Sequence, residues 1–507
     1  MSRLPSVANP LVVVTSGLDT ALWRQIYDQL REAIVTGRLP AGVQLPATRV
    51  LAKDILVSRN SVSTAYDQLR AEGYLVHRQR LGTFVAAVVP DLVARPSLLS
   101  GSKSGIAELK HAESSQHASL SRTGMIFVRA AERLAVRPGL GSSRDPIPFR
   151  IGDPAVDAFP VALWGRLIAR RWRTGRVPLG YSNPAGVRVL REAIAAYLTA
   201  SRGVRCDPKQ VFIASGTQQA VDLATRLVLS PGDAVWVENP GYPGARSAIE
   251  GCGATIVPVP VDNDGLAVEH GLAMNRFARA AYVTPSHQFP LGAVMSISRR
   301  LALLEWAAEA DAWIFEDDYD SEFRYSSRPL PSLQGLDERG RVIYVGTFSK
   351  TLFPALRLAY LVSPPSLVDA FQAACALGGR YAPTDTQLVV ADFITEGHFD
   401  HHLRRMRALY AMRQEALISD VMELLSEWLE VAPSAAGLHL VAWLREGVPN
   451  ARAVSALAAD AGVEVGALSN YTEHPLGREA VLLGYGAFEP ANMRTAAIHL
   501  ARALNKR

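Results

Sequence analysis

Between residues 86 and 145 the chain loses its hydrophobic periodicity, and this break decides how the rest can fold. Runs such as Ser97-Leu-Leu-Ser-Gly-Ser-Lys-Ser-Gly105 and Glu113-Ser-Ser-Gln-His-Ala-Ser119 carry too little apolar surface to hold one conformation. They read as a linker between separately folded bodies, and only Met125–Val136 within it has helical spacing, placed to dock on the body that follows. The expected division is a tail (1–19), a small module (20–88), the linker (89–145) and a large domain (146–507).

Composition narrows the class. With 49% hydrophobic and 20% charged residues, 507 residues suit a multidomain globular protein and exclude disorder over most of its length. Cys206, Cys252 and Cys375 are odd in number and far apart, so they form neither a disulfide framework nor a metal knuckle. No run approaches the roughly twenty apolar residues of a membrane span, and Leu11–Val14 is too short for a signal-peptide core. The chain reads as cytoplasmic. Net charge is +5, and residues 1–85 hold ten Lys/Arg against six Asp/Glu, so most of the excess sits on the small module. Basic charge gathered on a small domain fits nucleic-acid contact.

In that module Trp23, Ile26, Tyr27, Leu30 and Ile34 share a helix face, and Gly37 ends the helix. A second helix follows with Thr48 as its expected N-cap. A third opens with Ser58-Arg-Asn-Ser61 and ends at Gly73. Two short helices joined by a tight turn suit a helix-turn-helix, whose second helix places donors on base edges and phosphates. Tyr74–His77 and Thr83–Val85 then form a two-stranded wing with Arg78, Gln79 and Arg80 at its tip.

Gly37-Arg-Leu-Pro-Ala-Gly42, Leu45-Pro-Ala-Thr-Arg49, Ser58-Arg-Asn-Ser-Val62, Glu72-Gly-Tyr74 and Gly82-Thr-Phe-Val85 resemble the winged helix-turn-helix of GntR-type transcription factors. That resemblance implies DNA contact through Arg49, Ser58, Arg59, Asn60, Ser61 and the wing residues Arg78, Arg80 and Gly82. Arg80 stands where the family's wing usually has glycine.

From Phe149 onward, strand-like runs alternate with amphipathic helices, the pattern of an α/β domain with a largely parallel sheet. Expected strands are Val211–Ala214, Ala234–Val237, Ala281–Thr284, Trp313–Glu316, Val342–Gly346 and Ala359–Val362. Ser215-Gly-Thr-Gln-Gln-Ala220 opens a helix just after a strand, where backbone N–H groups can approach a phosphate. Glu316-Asp-Asp-Tyr-Asp-Ser-Glu322 ends another strand with clustered acids, which suits one buried carboxylate beside a phenol. Metal binding is the rival reading of these acids, and it lacks a histidine or further acid spaced to complete a shell. Gly346-Thr-Phe-Ser-Lys350, with Arg357 seven residues on, suits an imine-forming amine beside a bound phosphate.

These residues resemble the fold-type I, aspartate-aminotransferase-like enzymes that use pyridoxal 5'-phosphate. The resemblance implies that Lys350 forms the cofactor's Schiff base, that Asp317 faces the pyridine nitrogen and that Tyr319 faces the phenolic oxygen. It places Gly216, Thr217, Thr347 and Arg357 at the phosphate, Tyr242 over the ring, and Tyr181 at the partner subunit's phosphate. His287 or Gln288, in Thr284-Pro-Ser-His-Gln-Phe-Pro290, also lines the pocket on this reading.

A GntR-like head, a linker and an aminotransferase-like body in this order resemble the MocR/GabR-type bacterial regulators. That resemblance implies a homodimer, head-to-tail swapped, which binds a DNA operator (and the nucleoid when so bound) and senses pyridoxal phosphate or a small-molecule amine. The alternative is a working aminotransferase with a DNA-binding head. The substrate side discriminates, because transaminases of this class clamp the substrate carboxylate with an arginine near the C-terminus. Here Gly466-Ala-Leu-Ser-Asn-Tyr-Thr472 places Asn470 at the candidate position, and the later arginines are Arg478 and Arg494. The regulator reading is favoured.

Overall fold

The computed structural model describes residues 12–15, 20–79, 81–87, 120–133, 147–175, 177–325, 330–378, 382–474 and 476–505. The wing residue Arg80, most of the tail and the two Ser-rich linker runs lie outside the described residues. Contacts divide the chain into two compact units, before and after the His117–Ala118 bond.

The first unit contains α1 (Leu22–Val35), α2 (Thr48–Asp54), α3 (Arg59–Ala71) and a hairpin of β1 (Leu75–Arg78) and β2 (Gly82–Val85). Ile26, Tyr27, Leu30, Ala33 and Ile34 are the buried face of α1 and meet Val62, Ala65, Tyr66 and Leu69 of α3 in one core. Thr48 is not the N-cap that its side chain suggests. Ala47 holds the N-cap position of α2 without a side-chain hydrogen bond, and Thr48 is already the first helical residue. The following helix is capped as a serine allows: Ser58 accepts from the Ser61 backbone N–H at 3.2 Å. The wing also differs at its tip, because Arg78 belongs to β1 and pairs with Gly82.

Among the described residues the second unit opens with α4 (Arg122–Arg133), the helix expected within the linker, starting three residues earlier than its spacing suggests. An eight-stranded sheet follows in the order β3-β10-β9-β8-β7-β4-β5-β6. These are β3 (Val211–Ala214), β4 (Ala234–Asn239), β5 (Thr255–Asp262), β6 (Gly265–Leu266), β7 (Ala280–Val283), β8 (Trp313–Asp318), β9 (Val342–Thr347) and β10 (Ala359–Val362). Pairing is parallel from β5 through β4, β7 and β8 to β9, whereas β10 runs antiparallel to both of its neighbours. Nearly continuous apolar strands such as Trp313-Ile-Phe315 and Val342-Ile-Tyr-Val345 are buried on both faces, as helix-covered strands must be.

Two helices frame the site. Helix α5 (Thr217–Val228) follows β3, and α6 (Pro243–Gly251) follows β4. Helix α4 packs against α6, where Phe127 approaches Gly251 so closely that a Cβ there would lie 3.4 Å from its ring. A second, antiparallel sheet completes the unit: β11 (Leu429–Val431), β12 (His439–Leu444), β13 (Gly466–Ala467) and β14 (Ala480–Gly484), in the order β11-β12-β14-β13.

Candidate functional site

Consecutive residues of a strand point to opposite faces, so Asp317 leaves β8 on the side opposite Glu316 and Asp318, while Asp320 and Glu322 lie beyond the end of the strand. Glu316 accepts from the Leu333 and Gln334 backbone N–H groups at 2.8 and 2.9 Å. Asp318 pairs with buried Arg202 at 2.8 Å and accepts from the Tyr344 hydroxyl at 2.5 Å. Asp320 meets His287, and Glu322 accepts from Tyr197 at 3.1 Å. Among the described residues no group of three or more His, Cys, Asp or Glu is arranged to hold a metal ion.

Asp317, like Asp318 and Glu322, keeps one buried oxygen without a partner, but Asp317 alone of the three is opposed by no arginine. One of its oxygens accepts from the Tyr282 hydroxyl, while Oδ1 is buried with no hydrogen-bond partner. Burial first, then the charges of Asp318 and Asp320, push its pKa up to about 7, against the opposing effects of Tyr282 and Lys350.

Lys350 follows β9. Its Nζ donates to the Gly152 carbonyl at 2.6 Å, and a Cβ on Gly152 would come within 2.9 Å of that nitrogen. Burial lowers the lysine pKa, and the charges of Asp153, Asp320 and Asp317 act against this. An amine whose neutral form is favoured is the better nucleophile.

The phosphate candidates converge at the start of α5. Gly216 is its N-cap with φ 141°, and a Cβ there would sit 3.0 Å from the Arg357 guanidinium. Thr217 is the first helical residue. Thr347 ends β9 and its hydroxyl accepts from the Ser349 N–H at 3.1 Å. Arg357 itself adopts φ 50°, after a short 3-10 turn at Pro354–Leu356.

Tyr242 is the N-cap residue of α6, and burial raises its pKa to about 12. Its ring meets Phe289 edge-on at 5.9 Å, and the charges of Asp317 and Arg357 both act on it. The Tyr319 hydroxyl lies 3.0 Å from His287 Nδ1. Gln288 is spent on structure: its amide donates to the Pro240 and Phe289 carbonyls and accepts from the Leu291 N–H. Tyr181 stands apart from this set and is 90% exposed.

Sequence reasoning missed Glu238, which holds the Thr284 N–H and hydroxyl at 3.1 and 2.6 Å and so fixes the loop carrying His287. An acid ending a buried strand before Pro240 was its only signal. The carboxylate-clamp candidates also resolve. Arg478 pairs with Glu430 at 2.8 Å, and Arg494 pairs with Asp420 and Glu423, so both guanidinium groups are already engaged by carboxylates of the chain. Asn470 lines a cavity of about 30 Å³ together with Tyr242, Arg246 and Tyr471.

In the first unit Arg49, Ser58, Arg59 and Asn60 are exposed, whereas the Ser58 and Ser61 hydroxyls lie 3.0 Å from each other. Arg78 stacks on Phe84 at 5.1 Å. Gly82 has φ 113°, and a Cβ there would lie 2.8 Å from the amide of Gln44, which itself donates to the Leu81 carbonyl at 2.6 Å.

Two sequence families match this chain: bacterial regulatory proteins of the gntR family over residues 22–85, and aminotransferases of class I and II over residues 145–481. The probable rhizopine catabolism regulatory protein MocR of Rhizobium meliloti is 42% identical, across 96% of this chain and 94% of its own. This chain belongs to the MocR-type family of regulators.

Within that MocR-type family, the pyridoxine biosynthesis transcriptional regulator PdxR of Corynebacterium glutamicum is 30% identical over 96% of both chains. The body is similar to LysN, the α-aminoadipate aminotransferase of Thermus thermophilus, solved with N-(5'-phosphopyridoxyl)-L-leucine. The TM-score is 0.67 at 28% identity, covering 76% of this chain and 98% of that one. The residues present fit pyridoxal phosphate. Asp317 Oδ1 is an unpaired buried acceptor that a protonated ring nitrogen would satisfy, and the Gly216 turn leaves beside Arg357 the room an anion needs.

Proposed function

We propose that the protein is a DNA-binding transcription regulator that holds pyridoxal phosphate on Lys350 and changes its operator affinity when a primary amine, or the cofactor itself, is bound. The single observation that carries this is a GntR-type head on the same chain as a lysine, a carboxylate and a phosphate cradle that fit the cofactor. Bound there, pyridoxal phosphate supplies a carbon that can exchange the lysine for an incoming amine.

The chain's own residues divide the work on this reading. Lys350 holds the cofactor, Asp317 faces its ring nitrogen, and Tyr319 its ring oxygen. Tyr242 covers the ring face, while Gly216, Thr217, Thr347 and Arg357 receive the phosphate. Tyr181 reaches the phosphate bound to a partner subunit, in a homodimer whose heads pack on the opposite bodies. Arg49, Arg59, Asn60, Arg78, Arg80 and the Gly82 turn meet DNA. Ser58 and Ser61 support that surface by capping α3.

The route from site to linker runs through α6. Tyr242 begins that helix, and α4 packs against it, with Phe127 beside Gly251 at its far end. A displacement of Tyr242 on amine exchange would therefore be felt by the linker. Half-site spacing on DNA is a geometric demand, so a shifted linker becomes a changed affinity. A coupling of about 1–3 kcal/mol suffices for regulation.

The test is DNA binding by the full-length protein to its own upstream region, measured without cofactor, with pyridoxal phosphate, and with an added panel of primary amines. One amine that changes affinity without release of a carbonyl product supports the regulator. Steady product release with unchanged DNA affinity overturns it in favour of an aminotransferase.

A further inference from the structure

His287 is 2% exposed, and three oxygens converge on one of its ring nitrogens. Nδ1 lies 2.9 and 3.2 Å from the two carboxylate oxygens of Asp320 and 3.0 Å from the Tyr319 hydroxyl. Only one proton can lie on that nitrogen. A carboxylate accepts and cannot donate, so Nδ1 carries the proton and directs it to Asp320. The Tyr319 oxygen can share that proton, and its own O–H must then point away from His287. Burial, followed by the charge of Asp320, holds the phenol pKa well above its ordinary value, so the O–H is retained.

The imidazole has no room to turn aside. A Cβ on Gly437 would overlap its Cε1, and one on Gly292 would lie 3.1 Å from its Nε2. The neighbouring ring, His439, is 5.7 Å away and donates from Nε2 to the Pro290 carbonyl at 2.9 Å. Burial lowers the His439 pKa to about 4, so it adds no positive charge beside His287. The remaining charges facing the group are those of Asp317, Glu238 and Asp318 on Tyr319, and of Lys350 opposite Asp320.

We propose that His287 and Asp320 are a positioning pair: by occupying the acceptor side of Tyr319 they fix its O–H as a hydrogen-bond donor toward the ring oxygen of pyridoxal phosphate. His287 thus acts through Tyr319 and does not itself bind the cofactor. The inference rests on the cofactor reading above, and its test separates the two.

The full-length protein is loaded with pyridoxal phosphate, and the visible band of the lysine-bound cofactor is titrated against pH. A donor to the ring oxygen drains charge from it and eases loss of the neighbouring proton, so removing the donor raises the titration midpoint. Tyr319→Phe is expected to raise it by about one pH unit, the scale of one charge-assisted hydrogen bond. His287→Phe is expected to raise it in the same direction and not to move it further in a Tyr319→Phe background. Asp320→Asn also removes a negative charge facing Lys350, which by itself lowers the midpoint in both backgrounds, so its effect through Tyr319 is the difference between the two backgrounds. A packing role would leave the midpoint unchanged, or shift it equally in both backgrounds, and either result overturns the pair. Asp320→Asn keeps the side-chain shape, so it carries the test if His287→Phe does not fold. A wild type with no band at all overturns the cofactor reading and the pair together, whereas a wild-type band without this coupling overturns the pair alone.

Discussion

Lys350 Nζ donates to the carbonyl of Gly152 across 198 residues of sequence, at 2.6 Å. The bond ties the segment after β9 to the loop at Gly152, and the charges of Asp153, Asp320 and Asp317 act on the amine there. Gly152 allows the approach because it has no side chain, and its φ of 86° is one that other residues avoid. Gly152→Ala is expected to displace the amine, since its Cβ would come within 2.9 Å of Nζ. Slower covalent loading with pyridoxal phosphate, followed by absorbance, is the outcome that checks this.

Asp317 gives the cofactor-free protein a pH dependence. Its folded pKa is raised from 3.8 to about 7, so the unfolded chain loses its proton first as pH rises. Stability from this group therefore falls between about pH 4 and pH 7, and the cost persists above that window. A cationic ring nitrogen opposite Oδ1 offsets it. The thermal midpoint of the cofactor-free protein should fall more steeply over this range than that of the loaded protein. Asp317→Asn should narrow the difference and weaken cofactor retention by about 10- to 100-fold, the loss of one charge-assisted hydrogen bond.

Arg202 and Asp318 form a pair that is 3% and 1% exposed. Removing one partner strands the other charge in the interior. Arg202→Met is expected to cost about 3–5 kcal/mol, with Arg202→Met/Asp318→Leu recovering a good part of it. Denaturant unfolding midpoints of the single and double variants check this.

In the head, Ser58 and Arg59 should separate by assay. The Ser58 hydroxyl is engaged in the N-cap of α3, so Ser58→Ala should lower the stability of the head by about 1 kcal/mol. Arg59 is exposed at the first helical position, and Arg59→Ala should weaken DNA binding without destabilising the head. If Arg59 meets a phosphate, the slope of log affinity against log salt should shrink by about one.

Phe127→Ser should uncouple rather than inactivate. It removes the ring that α4 lays against Gly251, far from Lys350 in the chain. Cofactor loading and DNA binding should persist, while the change in DNA affinity on amine addition is lost. Titrations of labelled upstream DNA with and without the amine show the outcome.

Much of this was legible in the sequence because the signals are local. Strand ends such as Trp313-Ile-Phe-Glu-Asp-Asp318 and Val342-Ile-Tyr-Val-Gly-Thr347 announce themselves by hydrophobic runs ending in polar residues. The antiparallel sheet was not anticipated, because β11 and β13 span only three and two residues and carry little alternation. Thr48 was misplaced by one position, since cap chemistry does not fix where a helix begins. Nor could spacing show that Asp320 faces His287 while Asp318 faces Arg202. Asp318 is the last residue of its strand and Asp320 lies beyond it, so alternation does not relate the two, and each meets a partner far away in the chain.

The central claim is that Lys350 holds pyridoxal phosphate. The most direct measurement is the visible absorbance of the full-length protein after reconstitution with the cofactor, compared with Lys350→Ala treated identically. The visible band of a protonated pyridoxal–lysine linkage is expected to be present in the wild type and absent in the variant. A wild type without the band, or a Lys350→Ala protein that shows it equally, would contradict the account.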